Sequence, residues 1–232
     1  MAQKIDLLKK FCTPIWIVRL EKMDELNQEL LAYVYRMRKD DPKGVKRSNM
    51  LGWHSKDVDI QASKPHMKFF NKIAPCLERV TEDLNWNRQE YGYKITSTWA
   101  IINPKYACNQ SHIHGNNLIS AAYYVKFPKN AGSITFQDPR SSNLFYHSAC
   151  QKLSPLNEQS LTVQPETSLL AMFPSYLWHW VEPNLSDEDR VILSFNVSQY
   201  DMETTKFNLK GEIIKADQQM NVGKRTDKKA HK

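Results

Sequence analysis

Ser111 to Asn117 reads SHIHGNN and runs directly into LISAAYYVKF, Leu118 to Phe127. In an extended segment, residues two apart project to the same face, so His112 and His114 present both imidazoles to one point. That is chelate spacing for a metal ion. The run after it is rich in β-branched and aromatic residues and reads as a strand.

Working outward, the chain from about Tyr91 consists of short β-rich runs: KITSTWAII, LISAAYYVKF, SITFQ, SLLAMF and RVILSFNVS. Asn103-Pro104, Pro128-Lys129-Asn130, Asp138-Pro139 and Pro183-Asn184 punctuate them as turns, and this spacing suggests a sandwich or jelly roll. About 65 residues beyond the HxH pair, FPSYLWHWVEP places His179 between two Trp residues at a strand end, and Arg190 follows eleven positions later. Two ligands on one strand, a third on a distant strand and a downstream Arg form the arrangement of non-haem Fe(II) oxygenases. The planar fork of Arg190 suits the distal carboxylate of 2-oxoglutarate, whose 2-oxo acid end chelates iron.

Upstream the period changes. Met23, Leu26, Leu30, Val34 and Met37 form one stripe of a helix within Glu21 to Asp40. A second helix starts near Ser63-Lys64-Pro65, with Ser63 as its cap, and runs through Met67, Phe70, Ile73, Leu77, Val80 and Leu84. Pro75 is expected to kink or split it. Between the helices, RSNMLGWHS (Arg47 to Ser55) has neither period and reads as an ordered loop. Helices followed by many strands is the order expected when helices pack on the outer face of one sheet. The expectation is therefore an α+β, mainly β, chain in one domain over residues 1–202, helical to about 90 and a jelly roll over about 91–202.

At 232 residues, 41% hydrophobic and 11% aromatic, the chain has the composition of a folded domain. Cys12, Cys76, Cys108 and Cys150 are scattered without a CxxC pair, and no signal-peptide pattern opens the chain, so reduced thiols in the cytoplasm are expected. No apolar run approaches the roughly 20 residues of a membrane helix. Lys and Arg outnumber Asp and Glu by 32 to 25, and much of the +7 excess sits after Thr205. Residues 203–232 read as a solvated basic tail, and no nucleic-acid binding is assigned to it.

The sequence resembles the small 2-oxoglutarate/Fe(II) oxygenases of marine bacteria and their viruses. The likeness spans roughly Phe11 to Gln199. It rests on FCTPIWIVRL, RSNMLGWHS, the HxH followed by a Ser-containing AYYV strand, ITFQDPR, FPSYLWHWVEP and RVILSFN. It implies a double-stranded β-helix (jelly roll, cupin-like) core with Fe(II) at His112 and His179, 2-oxoglutarate on Arg190, O2 as oxidant, and hydroxylation of a substrate with succinate and CO2 as co-products. Two positions depart from the wider superfamily. His114 stands where a carboxylate ligand is usual, so it either ligates iron directly or sits behind a water. Ile192 stands where many relatives carry a Ser that helps hold the co-substrate, and Ser194 or Tyr124 are candidates for that task.

Period-two reasoning extends the pocket. If the HxH strand continues without a bulge, Tyr124 faces inward with the histidines, and on the closing strand Arg190, Ser194 and Asn196 share one face. Asp138 and Arg140 in QDPR are expected to border the pocket, and Trp178 and Trp180 to line its mouth. Two rivals remain at this stage: a cupin-like enzyme with three His ligands and no 2-oxoglutarate, and a non-catalytic jelly roll in which the histidines are incidental.

Overall fold

The computed structural model of the chain describes residues 5–140, 149–202, 205–207 and 213–215. Strand β1 (Trp16–Arg19) leads into helix α1 (Asp24–Asp40), short strands β2 (Asn49–Met50) and β3 (Trp53–His54), and helix α2 (Lys64–Asp83). Strands follow: β4 (Tyr91–Asn103), β5 (Cys108–His112), β6 (Ile119–Lys126), β7 (Ile134–Gln137), β8 (Ser160–Val163), β9 (Leu169–Pro174), β10 (His179–Val181) and β11 (Arg190–Asp201). A further pair, β12 (Thr205–Phe207) and β13 (Ile213–Lys215), is antiparallel; the rest of the basic tail lies outside the described residues.

Helix α1 follows its apolar stripe, burying Leu30 and Val34, while Asp24 and Glu25 in its first turn and Arg38 and Lys39 in its last complement the helix dipole. Helix α2 is not split at Pro75 and lacks the expected Ser63 cap. It runs unbroken for 20 residues through Pro75. Proline removes one N–H and crowds the preceding turn, but burial of Phe69, Ile73, Leu77 and Val80 along one face holds the helix on both sides of it. Ser63 occupies the N-cap position without capping, because its hydroxyl lies 2.7 Å from His66 Nδ1 instead of bonding a helix N–H.

One sheet has the order β1-β9-β6-β11-β4-β3, the other β2-β5-β10-β7-β8, and the pairings within both are antiparallel. Alternation along β11 shows how the layers form. Val191, Leu193, Phe195 and Val197 join Leu30, Val34, Phe69, Ile73 and Leu77 of the helices in one core. Ile192 of the opposite parity joins Trp99, Ala122, Tyr124, Ile134, Phe136 and Val181 in a second core, shared by both sheets. The helices thus cover one face of the six-stranded sheet, and the five-stranded sheet covers the other.

RSNMLGWHS is ordered, as its turn formers suggest, and does more than connect. Its β2 pairs with β5 in one sheet and its β3 with β4 in the other, so the segment bridges the two sheet edges. Gly52 is required there: a Cβ at that position would lie 2.4 Å from Asn103 Oδ1. Cys12, Cys76 and Cys108 are free thiols. Among the described residues no helix is long and apolar enough to cross a membrane.

Candidate metal centre

His112 ends β5 and His179 begins β10, and the two are direct antiparallel partners. His114 lies two residues on, in the turn before β6, where its N–H donates to Ser175 O at 2.9 Å. Pairing and chelate spacing together bring the three rings to centroid separations of 4.2 Å (His112–His179), 5.0 Å (His112–His114) and 5.1 Å (His114–His179). One ring nitrogen from each lies within 4.8 Å of those from the other two.

Backbone carbonyls fix two of the tautomers. His112 Nδ1 lies 2.7 Å from Gln110 O, and His179 Nδ1 2.9 Å from Leu177 O. A carbonyl only accepts, so each Nδ1 carries the proton and each Nε2 keeps a lone pair for a metal. The Ser48 hydroxyl stands 3.4 Å from His112 Nε2. His114 is held by its main chain, by a side-chain hydrogen bond with Asn196 and by stacking on Trp99 at 5.4 Å, and its Nε2 is sealed from solvent with no hydrogen-bond partner. A buried, unpaired ring nitrogen is costly unless something ligates it.

Electrostatics agree with a ligand role. Burial, then the neighbouring His112, pulls the pKa of His114 down to about 4 and that of His179 down to about 3. Burial also lowers His112, opposed by its bond to Gln110 O. All three imidazoles are therefore neutral at pH 7, the form that binds metal. The donor set and the orphaned nitrogen fit a divalent transition metal.

The histidines open into a cavity of about 700 Å³, lined in part by apolar Ile101, Ile134, Val181 and Ile192. Ser194 and Asn196 stand on its wall, and Asn196 accepts from Ser120 Oγ at 2.8 Å and donates to Ser97 Oγ at 3.0 Å. Arg190 and Tyr124 lie behind the wall, next to Ile192: Tyr124 is the cross-strand partner of Ile192, and Arg190 is two residues along β11. Arg190 is fully buried and donates to Ala131 O, to Glu182 O at 2.9 Å and to Ala107 O at 3.5 Å, leaving Nε unpaired. No carboxylate among the described residues pairs with it. Burial lowers its pKa to about 10, so the cation persists at neutral pH. The Tyr124 hydroxyl is likewise sealed and unpartnered, and burial raises its pKa.

Two expectations fail. Trp178 and Trp180 do not line the cavity, because alternation through β10 turns His179 inward and its neighbours outward; Trp178 is 46% exposed. Asp138 and Arg140 pair with each other at 2.6 Å and also stay off the wall. The sequence reading missed Arg47, His54, Asp57, Ser97 and Trp99, which do line it. For Ser97 and Trp99 the signal existed, since they share parity with inward-facing Ile101 on β4.

Residues 97–196 match a protein family described as "Putative 2OG-Fe(II) oxygenase", where 2OG is 2-oxoglutarate. No curated protein matches the chain by sequence. Among solved structures, a Pseudomonas putida prolyl-4-hydroxylase superposes with TM-score 0.57 at 13% identity, over 80% of this chain and 92% of that one. HygX from Streptomyces hygroscopicus, solved with nickel and 2-oxoglutarate bound, gives TM-score 0.56 at 11% identity, over 84% and 86% of the two chains. SnoN, a non-haem α-ketoglutarate-dependent epimerase from nogalamycin biosynthesis, gives 0.56 at 14% identity, over 80% and 76%. The shared fold extends well beyond the matched strands.

Proposed function

We propose that this chain is an Fe(II)- and 2-oxoglutarate-dependent oxygenase on a double-stranded β-helix (jelly roll) core, hydroxylating its substrate with O2 and releasing succinate and CO2. The observation that carries the reading is the three-imidazole cluster in which two tautomers are locked by backbone carbonyls and the third ring, His114, has a sealed and unpartnered Nε2. We read His112, His114 and His179 as the metal ligands, His114 binding directly.

A buried guanidinium without a carboxylate beside an unpaired buried hydroxyl supports 2-oxoglutarate over a metal-only enzyme, because the pair offers charge and hydrogen bonding to an anion. Arg190 and Tyr124 are the groups we assign to the distal carboxylate, with Ser194 and Asn196 as polar contacts on the cavity wall. When bound, iron and the 2-oxo acid supply the oxidising chemistry. The chain's share is to present three neutral ligands, two of them in fixed tautomers, hold a buried cation behind Ile192, and line the cavity with apolar Ile101, Ile134, Val181 and Ile192.

Anaerobic titration with Fe(II) and then 2-oxoglutarate tests this, followed through the visible charge-transfer band of a chelated 2-oxo acid and through succinate release on adding O2. Tight metal binding with neither band nor succinate would favour the three-His, cupin-like reading. A failure to bind metal at all would leave a non-catalytic jelly roll.

A further inference from the structure

The cavity wall has two origins. The matched strands provide the histidines and Ile101, Ile134, Val181 and Ile192, whereas the bridging segment before them contributes Arg47, Ser48 and His54, and Asp57 follows just after it. Sheet pairing of Asn49–Met50 and Trp53–His54 fixes the segment, and the N–H groups of Ser55 and Val58 donate to Ala100 O and Thr98 O on either side of Asp57; the side chains of Arg47 and Asp57 are exposed at the cavity rim.

His54 is 8% exposed, and its Nδ1 donates to Ser55 O at 2.7 Å, which leaves Nε2 as an acceptor. That nitrogen has no partner among the described residues and is not sealed, so it opens to the cavity that His54 lines. The ring lies parallel to Trp99, with centroids 5.7 Å apart and planes 10° apart, and Trp99 stacks in turn on His114. His54 is thereby fixed one indole away from a metal ligand. Arg47 and Asp57 line the same cavity, and neither side chain forms a hydrogen bond or ion pair with a described residue. Burial lowers the pKa of His54, opposed by its bond to Ser55 O, and Arg47 and Asp57 act on it in smaller and opposite senses. The cavity lining therefore combines an exposed cation and an exposed anion, neither paired with a described side chain, with a buried ring acceptor.

We infer that the bridging segment selects a small zwitterionic substrate, a free amino acid or close derivative, with its carboxylate on Arg47, its ammonium on Asp57 and an N–H or O–H donated to His54 Nε2. The Arg fork matches a carboxylate bidentately. Complementary charges at a site discriminate between ligands more than they add affinity, and a capped peptide would lack both of its partners here. A cavity of about 700 Å³ has room for such a molecule beside 2-oxoglutarate. The inference rests on the oxygenase reading.

The test uses the full chain loaded with Mn(II) and 2-oxoglutarate without O2, and offers the common amino acids one at a time. Binding is read as paramagnetic relaxation of the amino acid's protons. At least one should bind, and its N-acetyl and amide derivatives should each bind at least roughly tenfold more weakly. Arg47→Gln should weaken the free acid by roughly tenfold but hardly change the amide, and Asp57→Asn should do the same for the amine against its N-acetyl form. If Mn(II) and 2-oxoglutarate bind but no amino acid does, or if capping makes no difference, this inference is overturned and the oxygenase reading stands. If Mn(II) does not bind, both fall.

Discussion

Replacing His114 with Phe should leave the metal-free protein at least as stable as wild type while abolishing its response to metal. The orphaned Nε2 of His114 is buried without a partner, and such a group costs about 1–3 kcal/mol. Phenylalanine removes that cost and keeps a ring between Trp99 and His179, which His114 stacks on at 5.4 and 5.1 Å. Those contacts are worth about 0.5–1.5 kcal/mol. The added carbon can lean into the cavity. Losing the bond to Asn196 costs about 0.5–1.5 kcal/mol, so a net gain of up to about 2 kcal/mol would follow, and at this chain length each kcal/mol moves Tm by about 2–4 °C. Wild type should instead gain about 2.7 kcal/mol when Mn(II) is present at about 100 times its Kd, and the variant nothing. The order of stability therefore inverts between metal-free and metal-loaded protein. Thermal unfolding followed by circular dichroism, with and without Mn(II), reads this directly. A variant less stable than wild type without metal, yet still stabilised by Mn(II), would refute the assignment of His114 Nε2 as a ligand.

His112→Ala or His179→Ala should each remove stoichiometric Mn(II) binding in calorimetry while circular dichroism shows the fold retained; unchanged affinity in both would remove the centre as drawn. Arg190→Lys should bind 2-oxoglutarate at least roughly tenfold more weakly at unchanged metal affinity, since a buried charge pair weakened on one side costs about 2–5 kcal/mol; equal co-substrate affinity would place the anion elsewhere. For pH, His66 is the informative group away from the metal centre: burial holds its folded pKa near about 4, against 6.5 for an ordinary histidine. Because the unfolded chain takes up that proton first, stability should be full above about pH 6.5 and fall as pH drops towards about 4, by up to about 3 kcal/mol from this residue. Urea denaturation of wild type and His66→Leu should show a shallower decline in the variant, and parallel declines would count against a neutral buried His66.

Much of the architecture was legible because it depends on local periods. The three- and four-residue steps from Met23 to Met37 dictate a helix, and alternation along Arg190 to Val197 dictates a strand with two unlike faces. HxH spacing likewise made His112 and His114 a chelating pair before any fold was known, and His179 followed as a third donor at a strand end.

What only the tertiary structure decided depends on partners distant in sequence. That His112 pairs with His179, that Arg190 spends its donors on Ala131, Glu182 and Ala107, and that Pro75 sits inside an intact helix are outcomes of packing between segments. The sides taken by Trp178 and Trp180 follow from the inward turn of His179, which its pairing with His112 fixes. RSNMLGWHS carried no period at all. Its role in bridging two sheets and bringing Arg47 and His54 to the cavity exists only because β5 and β4 offer it two edges. Periodicity encodes which face a residue takes within its own element, whereas the neighbour it meets across the core is fixed only when all the elements pack at once.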